Sequence, residues 1–371
     1  MSTRTNVPIA CASSRRKSAL VFCAALTCSI AAAHRAVAVT AESLLGAGST
    51  FSAPLYQQWI KVYQGEHPSV SIRYEVVGSG EGVSRFIGRT VDFGASDVVL
   101  SDLEVAKVSQ GAVMVPATAG MVVLAYSIRS AQAKLRLPRD VYPGIFSGAI
   151  RRWDDPRLQQ ANPGLTLPHR EIAVIARQDS SGTTDAFTAH LAAIDPAWRA
   201  QGLGVGKLIE WPVGTTMYGN GNEGVATRIK IVDGSIGYVE YGFAKRLGLP
   251  MAVLQNKAGQ FVEPSEPAGQ LALADVNSSS KTPADMDASV VDPSKAGAYP
   301  IVTFSWLLLY RKYDDPGKAA AVRDFVAWGL SSGKAFGREF GYIPLPDEVA
   351  ASGSRALGGV RARPKQGRPQ G

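Results

Sequence analysis

Three short stretches of small and hydroxyl-bearing residues carry what chemistry this chain has to offer. Gly46-Ala47-Gly48-Ser49-Thr50-Phe51 runs small residues into a helical apolar stripe. Gly78-Ser79-Gly80-Glu81-Gly82 lies between an alternating strand-like segment and a short helix. Arg177-Gln178-Asp179-Ser180-Ser181-Gly182-Thr183-Thr184 lies between the apolar run Ile172–Ala176 and another helix. Each stretch places hydroxyls and unencumbered N–H groups at a helix start, where the first four N–H groups have no internal partner and the aligned dipole is positive. Glycine lets an oxyanion come close to the backbone. Any one of these junctions reads equally well as an ordinary Ser or Thr cap. Three of them together form a site for a tetrahedral oxyanion such as phosphate or sulfate, held by oriented dipoles without bulk positive charge.

Two charged residues sharpen that reading. Arg177 leads the third junction and is the natural bidentate partner of an oxyanion; its alternative role is a surface ion pair with Asp179. Asp97 follows Val91-Asp92-Phe93-Gly94-Ala95-Ser96 at the carboxyl end of a strand, where α/β sheets keep their ligands. A carboxylate repels an anion unless that anion carries a proton. An ionised Asp only accepts hydrogen bonds, so Asp97 takes the O–H of phosphate and penalises sulfate, which has none at neutral pH. The alternative is that Asp97 caps the segment starting Ser101-Asp102-Leu103-Glu104.

The elements that position these residues follow from periodicity. Leu55, Trp59 and Tyr63 form a helical stripe over Phe51–Tyr63 that Pro68 ends. Ser71–Val77 alternates like a strand, Val83–Ile87 is a short helix, and Val91–Ala95 begins another strand. This rhythm predicts an α/β fold with mostly parallel strands. Met121–Tyr126, Ile172–Ala176, Ile236–Val239 and Val302–Leu309 are further strands, and Thr184–Ile194 and Ala319–Leu330 further helices. Residues 255–298 are expected to form an irregular surface, and the Gly-, Pro- and Arg-rich stretch 355–371 to be disordered. No internal repeat is evident.

Composition bounds the rest. The chain has 371 residues, 46% hydrophobic and 19% charged, which excludes a disordered, fibrous or polytopic membrane protein and suits one large or two medium domains, two being the better match to its length. The formal charge of +8 comes from the ends, since 10 of the 39 basic groups lie in 1–38 and 355–371, where there is no acid. The body keeps 29 basic against 31 acidic groups and lacks the clustered basic face that nucleic acid requires. Residues 1–38 read as a cleaved export signal: Arg15-Arg16-Lys17, an apolar stretch from Ser18 to Ala33 too short to span a bilayer, then Ala36-Val37-Ala38. Whether the export route is general or twin-arginine is left open. All three cysteines (Cys11, Cys23, Cys28) fall in this leader, so a chain beginning at Val39 has no disulfide, thiolate metal site or Cys nucleophile.

The first junction, extended through Ser52-Ala53-Pro54-Leu55-Tyr56, resembles the opening motif of the PstS family, the periplasmic phosphate-binding proteins of bacterial ABC phosphate importers. The likeness continues through Thr90–Asp97, Arg152-Trp153-Asp154-Asp155-Pro156, Asp179–Thr183 and Gly237-Tyr238-Val239-Glu240-Tyr241, and spans roughly residues 44–345. It implies a two-lobed periplasmic-binding-protein fold (type II) that closes on a hinge over one dehydrated phosphate. Lobe 1 would be 41–118 plus 301–350, and lobe 2 would be 119–300. The implied ligand set is Thr50, Phe51, Ser79, Asp97, Arg177, Ser181, Gly182 and Thr183, with Asp179 holding Arg177 in place. The implied partners are inorganic phosphate and the membrane permease of an importer driven by a cytoplasmic ATPase, with the protein itself monomeric. Gly80 and Glu81 depart from the family, which often has Ser and Gly there, so the role of Glu81 is left open.

Competing readings have less to stand on. Gly219-Asn220-Gly221-Asn222-Glu223-Gly224 formally matches a dinucleotide fingerprint, but no clear strand precedes it and it reads better as the start of a helix at Val225. Ser278–Lys281 and Ser331–Lys334 match S-x-x-K without its companion motifs. His67, His169 and His190 lack metal-ligand spacing. No cofactor and no catalytic residue is expected. The alternatives are a phosphatase-like hydrolase, or a sulfate or molybdate carrier that Asp97 argues against.

Overall fold

The computed structural model describes residues 42–130, 134–212, 214–274 and 290–363. The expected leader and its cleavage site lie outside the described residues, as does the tail beyond 363. In chain order the strands are β1 (Glu42–Gly48), β2 (Val70–Val76), β3 (Phe93–Ser96), β4 (Ala112–Ser127), β5 (Arg136–Leu137), β6 (Ala173–Arg177), β7 (Met217–Gly219), β8 (Ser235–Glu240), β9 (Val253–Gln255), β10 (Phe261–Val262), β11 (Val302–Tyr310), β12 (Lys312–Tyr313) and β13 (Arg361–Ala362). One eight-stranded sheet dominates, in the order β2-β1-β3-β11-β4-β8-β6-β7, with helices packed around it.

The sheet is parallel in its two wings and antiparallel in its middle. β1 pairs in parallel with β2 and β3, and β6 with β7 and β8; β11 is antiparallel to β3 and β4, and β4 to β8. The expected mostly parallel arrangement therefore holds for the wings only. The reason lies in β4, whose 16 residues run from one wing into the other. Its first part, Ala112–Met121, pairs with β11, and Val122–Ser127 pairs with β8. Its residues from Val115 to Tyr126 are all buried, as expected of a strand covered on both faces.

The parallel wings bring the strand ends to one level. Gly48 at the end of β1 is in register with Val76 of β2 and Ala95 of β3. Ser49 and Val77 therefore follow the strand ends side by side, and Asp97 lies just past the end of β3 at Ser96. In the other wing, Arg177 of β6 is in register with Gly219 of β7. The three expected helices start just past these ends, at Ala53–Glu66, Ser79–Ile87 and Gly182–Ile194. The first buries Leu55, Trp59 and Tyr63 as its stripe predicts; each such side chain contributes about 1.5–3 kcal/mol on burial.

Two expectations are corrected. Within 255–298, β10 joins β9 and the distant β5 in a small sheet and a helix spans Glu266–Leu273, while 275–289 lie outside the described residues. The segment 355–363 is ordered: a helix spans Asp347–Leu357, and β13 pairs in parallel with β12. Leu357 and Val360 are buried there, Arg361 N–H donates to Arg311 O at 3.0 Å, and Arg363 pairs with Asp314. Two apolar anchors and a strand edge suffice where composition alone suggests disorder.

Candidate functional site

The strand ends of the two wings meet. Thr50, Phe51, Ser79 and Asp97 come from the first wing and Arg177, Ser181, Gly182 and Thr183 from the second, and all eight are buried. A Cβ on Gly182 would lie 2.7 Å from both Asp97 Cβ and Ser79 Oγ. Gly80 N–H donates to Ser180 O at 3.0 Å, and a Cβ on Gly80 would stand 2.0 Å from Ser180 Oγ. The glycine that departs from the family pattern is thus required by how closely the junctions approach. Glu81 turns outward and pairs with Arg85 at 2.7 Å, so it brings no negative charge to the cluster.

Asp97 is the acidic centre. Its Oδ1 accepts from Ser49 Oγ at 2.5 Å and Ser305 Oγ at 2.8 Å, and its Oδ2 from Ser79 Oγ at 3.2 Å. Burial pushes its carboxyl up to about 6, partly offset by those hydroxyls and by the charge of Arg177. It does not cap the helix that follows, because Ser101 and Glu104 form their own capping box. Removal from water is the dominant influence on a buried carboxylate, so Asp97 is poised to accept a hydrogen bond and gains from sharing a proton.

Arg177 is buried and held on both sides. Its Nε donates to Asp179 Oδ1 at 2.8 Å, a second guanidinium nitrogen bonds Asp179 Oδ2, and a third donates to Thr183 Oγ1 at 3.2 Å. This is a fixed fork inside the protein and no surface ion pair. Burial works against the Asp179 charge, but Arg177 and the N–H of Gly221, at 2.9 Å, hold its carboxyl below the ordinary range. Ser181 caps its helix by accepting from Thr184 N–H at 3.2 Å. Gly182 and Thr183 open that helix, so their N–H groups have no carbonyl within it to bond.

Sequence reading passes over three supporting residues. Ser49 stands inside the first junction and accepts from Phe51 N–H at 3.0 Å while donating to Asp97. Ser305 comes from distant β11; a small hydroxyl inside the largely apolar run VTFSWLLLY was its only signal. Asn222 lies in the glycine-rich stretch 219–224. That stretch does follow a strand, β7, and its helix opens at Gly221, four residues earlier than expected. Its first N–H groups are taken by protein: Gly221 donates to Asp179 and Asn222 to Thr50 Oγ1, at 2.9 and 3.2 Å. A cleft of about 830 Å³ borders the cluster, lined by Thr50, Asp179, Asn222, Lys61 and Arg246 among others.

The histidines that a hydrolase could call on are not part of the cluster. The three histidines beyond the leader are engaged elsewhere: His190 bonds Tyr142, His169 bonds Asp154, and His67 stacks on Tyr63. No group of acidic, His or Cys side chains among the described residues is arranged to hold a metal. No helix among them is long and apolar enough to cross a membrane.

The chain as a whole is similar to known proteins. A family model described as a PBP superfamily domain matches residues 33–332. The chain is 36% identical over 315 residues to the phosphate-binding protein PstS of Pasteurella multocida, covering 85% of this chain and 89% of that one. It is 37% identical over 313 residues to the PstS of Haemophilus influenzae, covering 84% and 91%. Among solved structures, a phosphate-binding protein from Stenotrophomonas maltophilia shares the fold, with a TM-score of 0.68 at 21% identity over 85% of this chain and 94% of that one.

Proposed function

This chain belongs to the PstS family of phosphate-binding proteins, and we propose that it binds inorganic phosphate in the periplasm and delivers it to the permease of an ABC phosphate importer. The observation that carries this reading is the contact of Gly182 with Ser79 and Asp97, which converges helix starts from two wings on one buried carboxylate. The ligand set is Thr50, Phe51, Ser79, Asp97, Arg177, Ser181, Gly182 and Thr183. Hydroxyls, N–H groups and the Arg177 fork donate to the anion, and Asp97 accepts its proton. Asp179 keeps Arg177 oriented. The lobes are 41–118 plus 301–350 and 119–300, so the chain crosses between them within β4 and just before β11; β4 pairing first with β11 and then with β8 supports this division. Phosphate favours the closed form because only there do both sets of donors reach it.

The magnitudes are consistent. Micromolar binding needs about −8 kcal/mol and nanomolar about −12. Hydrogen bonds to a charged group contribute roughly 1.5–3 kcal/mol each, so a ligand set of this size covers desolvation and closure with a remainder.

The protein acts without catalysis, as a monomer exported to the periplasm by a leader that is then cleaved. Incubating the chain from Val39 onward with p-nitrophenyl phosphate, alongside a phosphate titration, tests this. Saturable phosphate binding with no product is expected; turnover of the ester would replace the carrier with a hydrolase.

A further inference from the structure

We propose that Asn222 is a positioning residue that forces the hydroxyls of Thr50 and Thr183 to act only as donors toward the bound anion. A hydroxyl has one hydrogen to give and two lone pairs to accept with, so on its own it faces an anion in the right sense only part of the time. Around Thr50 both lone pairs are filled: its Oγ1 accepts from Asn222 Nδ2 at 3.0 Å and from Asn222 N–H at 3.2 Å. Around Thr183 the same holds: its Oγ1 accepts from Asn222 Nδ2 at 3.2 Å and from the Arg177 guanidinium at 3.2 Å. What remains to each threonine is its hydrogen, which must point away from these donors.

The orientation of the amide is fixed by the backbone. Asn222 Oδ1 accepts from Glu240 N–H at 2.9 Å, and that group can only donate, so the amide oxygen faces Glu240 and the two amide hydrogens face the threonines. Asn222 is fully buried, and one amide group spans both wings, with one hydrogen on Thr50 and the other on Thr183. The site is thereby divided by sense. The threonines give hydrogens and tolerate no ligand proton, which leaves Asp97 to take it. This rests on the reading of the site as a phosphate site and adds the residue that sets the direction of its hydroxyls.

A mutant cycle tests it, with phosphate affinity read by calorimetry. Asn222→Ala is expected to weaken phosphate binding about tenfold or more in the otherwise unaltered protein, and less than about twofold when Thr50→Val and Thr183→Val are already present. An equal loss in both backgrounds, or no loss in either, would overturn the inference, because a role in packing alone does not depend on the hydroxyls. Should the alanine variant fail to fold, Asn222→Leu, close in size, uncharged and unable to donate from its side chain, serves in the same cycle. A smaller loss in the valine background supports the inference, and an equal loss overturns it. Failure of the unsubstituted protein to bind phosphate would instead overturn the functional reading on which the inference rests.

Discussion

Gly182 and Ser79, from opposite wings of the sheet, approach so closely that a single added methyl on Gly182 would lie 2.7 Å from Ser79 Oγ and 2.7 Å from Asp97 Cβ. The helix beginning at Gly182 can bring its N–H groups to the first wing only because that position has no side chain. Gly182→Ala is therefore expected to hold the wings apart and weaken phosphate binding at least tenfold, about 1.4 kcal/mol. The unliganded protein has no need to close and should keep its thermal midpoint within about 2 °C. Calorimetry and thermal unfolding on one preparation check both; unchanged affinity would show that the contact is not needed.

Arg177 depends on its shape as much as its charge. Its fork holds Asp179 with two nitrogens and Thr183 with another, which a lysine ammonium cannot reproduce. Arg177→Ala is expected to weaken phosphate binding at least tenfold, and Arg177→Lys to recover only a small part of that loss. Titration of the two variants side by side decides it. Wild-type affinity in the lysine variant would mean that a point charge is enough.

Asp97 is expected to set the preference for phosphate over sulfate. With the carboxylate present, sulfate leaves two negative charges facing each other without a bridging proton; without it, the two anions present the same oxygens to the same donors. Competition titrations should show Asp97→Ala admitting sulfate that the parent protein excludes. A variant that excludes sulfate as well as the parent would place the discrimination elsewhere.

The same carboxylate costs stability when no ligand is bound. Burial raises Asp97 from an ordinary 3.8 to about 6, so between those values the folded state holds the proton more tightly than the unfolded one. Its contribution therefore falls as pH rises through that window and is level above it. Glu240, raised to about 8 by burial while it caps the helix Tyr241–Arg246, acts in the same direction over a wider range. In phosphate-free buffer, the stability of Asp97→Asn relative to the parent should grow between about pH 4 and 6 and then level off, with an upper bound on the order of 3 kcal/mol. Urea unfolding at several pH values gives the curve; a difference that is flat or shrinks over that range would contradict the buried charge.

Much of this candidate site's geometry was legible because its parts are local. The junctions around Thr50, Ser79 and Ser181 each combine a strand end, glycine or hydroxyl residues and a helix start within a few positions, and Asp97 ends a strand in the same manner. The partners that tune them come from afar. Ser305 reaches Asp97 across 208 positions and Asn222 reaches Thr50 across 172, and no local pattern announces a contact made by strand register. The order of 355–363 was hidden for a similar reason: β13 gains its structure from an edge offered by β12, and its own composition says nothing of that edge.

The most direct measurement is a calorimetric titration of the chain from Val39 onward with inorganic phosphate at neutral pH, repeated in a large excess of sulfate. One phosphate per chain, with an affinity that sulfate leaves unchanged, is the predicted result. Absence of binding, or displacement of phosphate by sulfate, would contradict a buried site that reads its anion through the proton offered to Asp97.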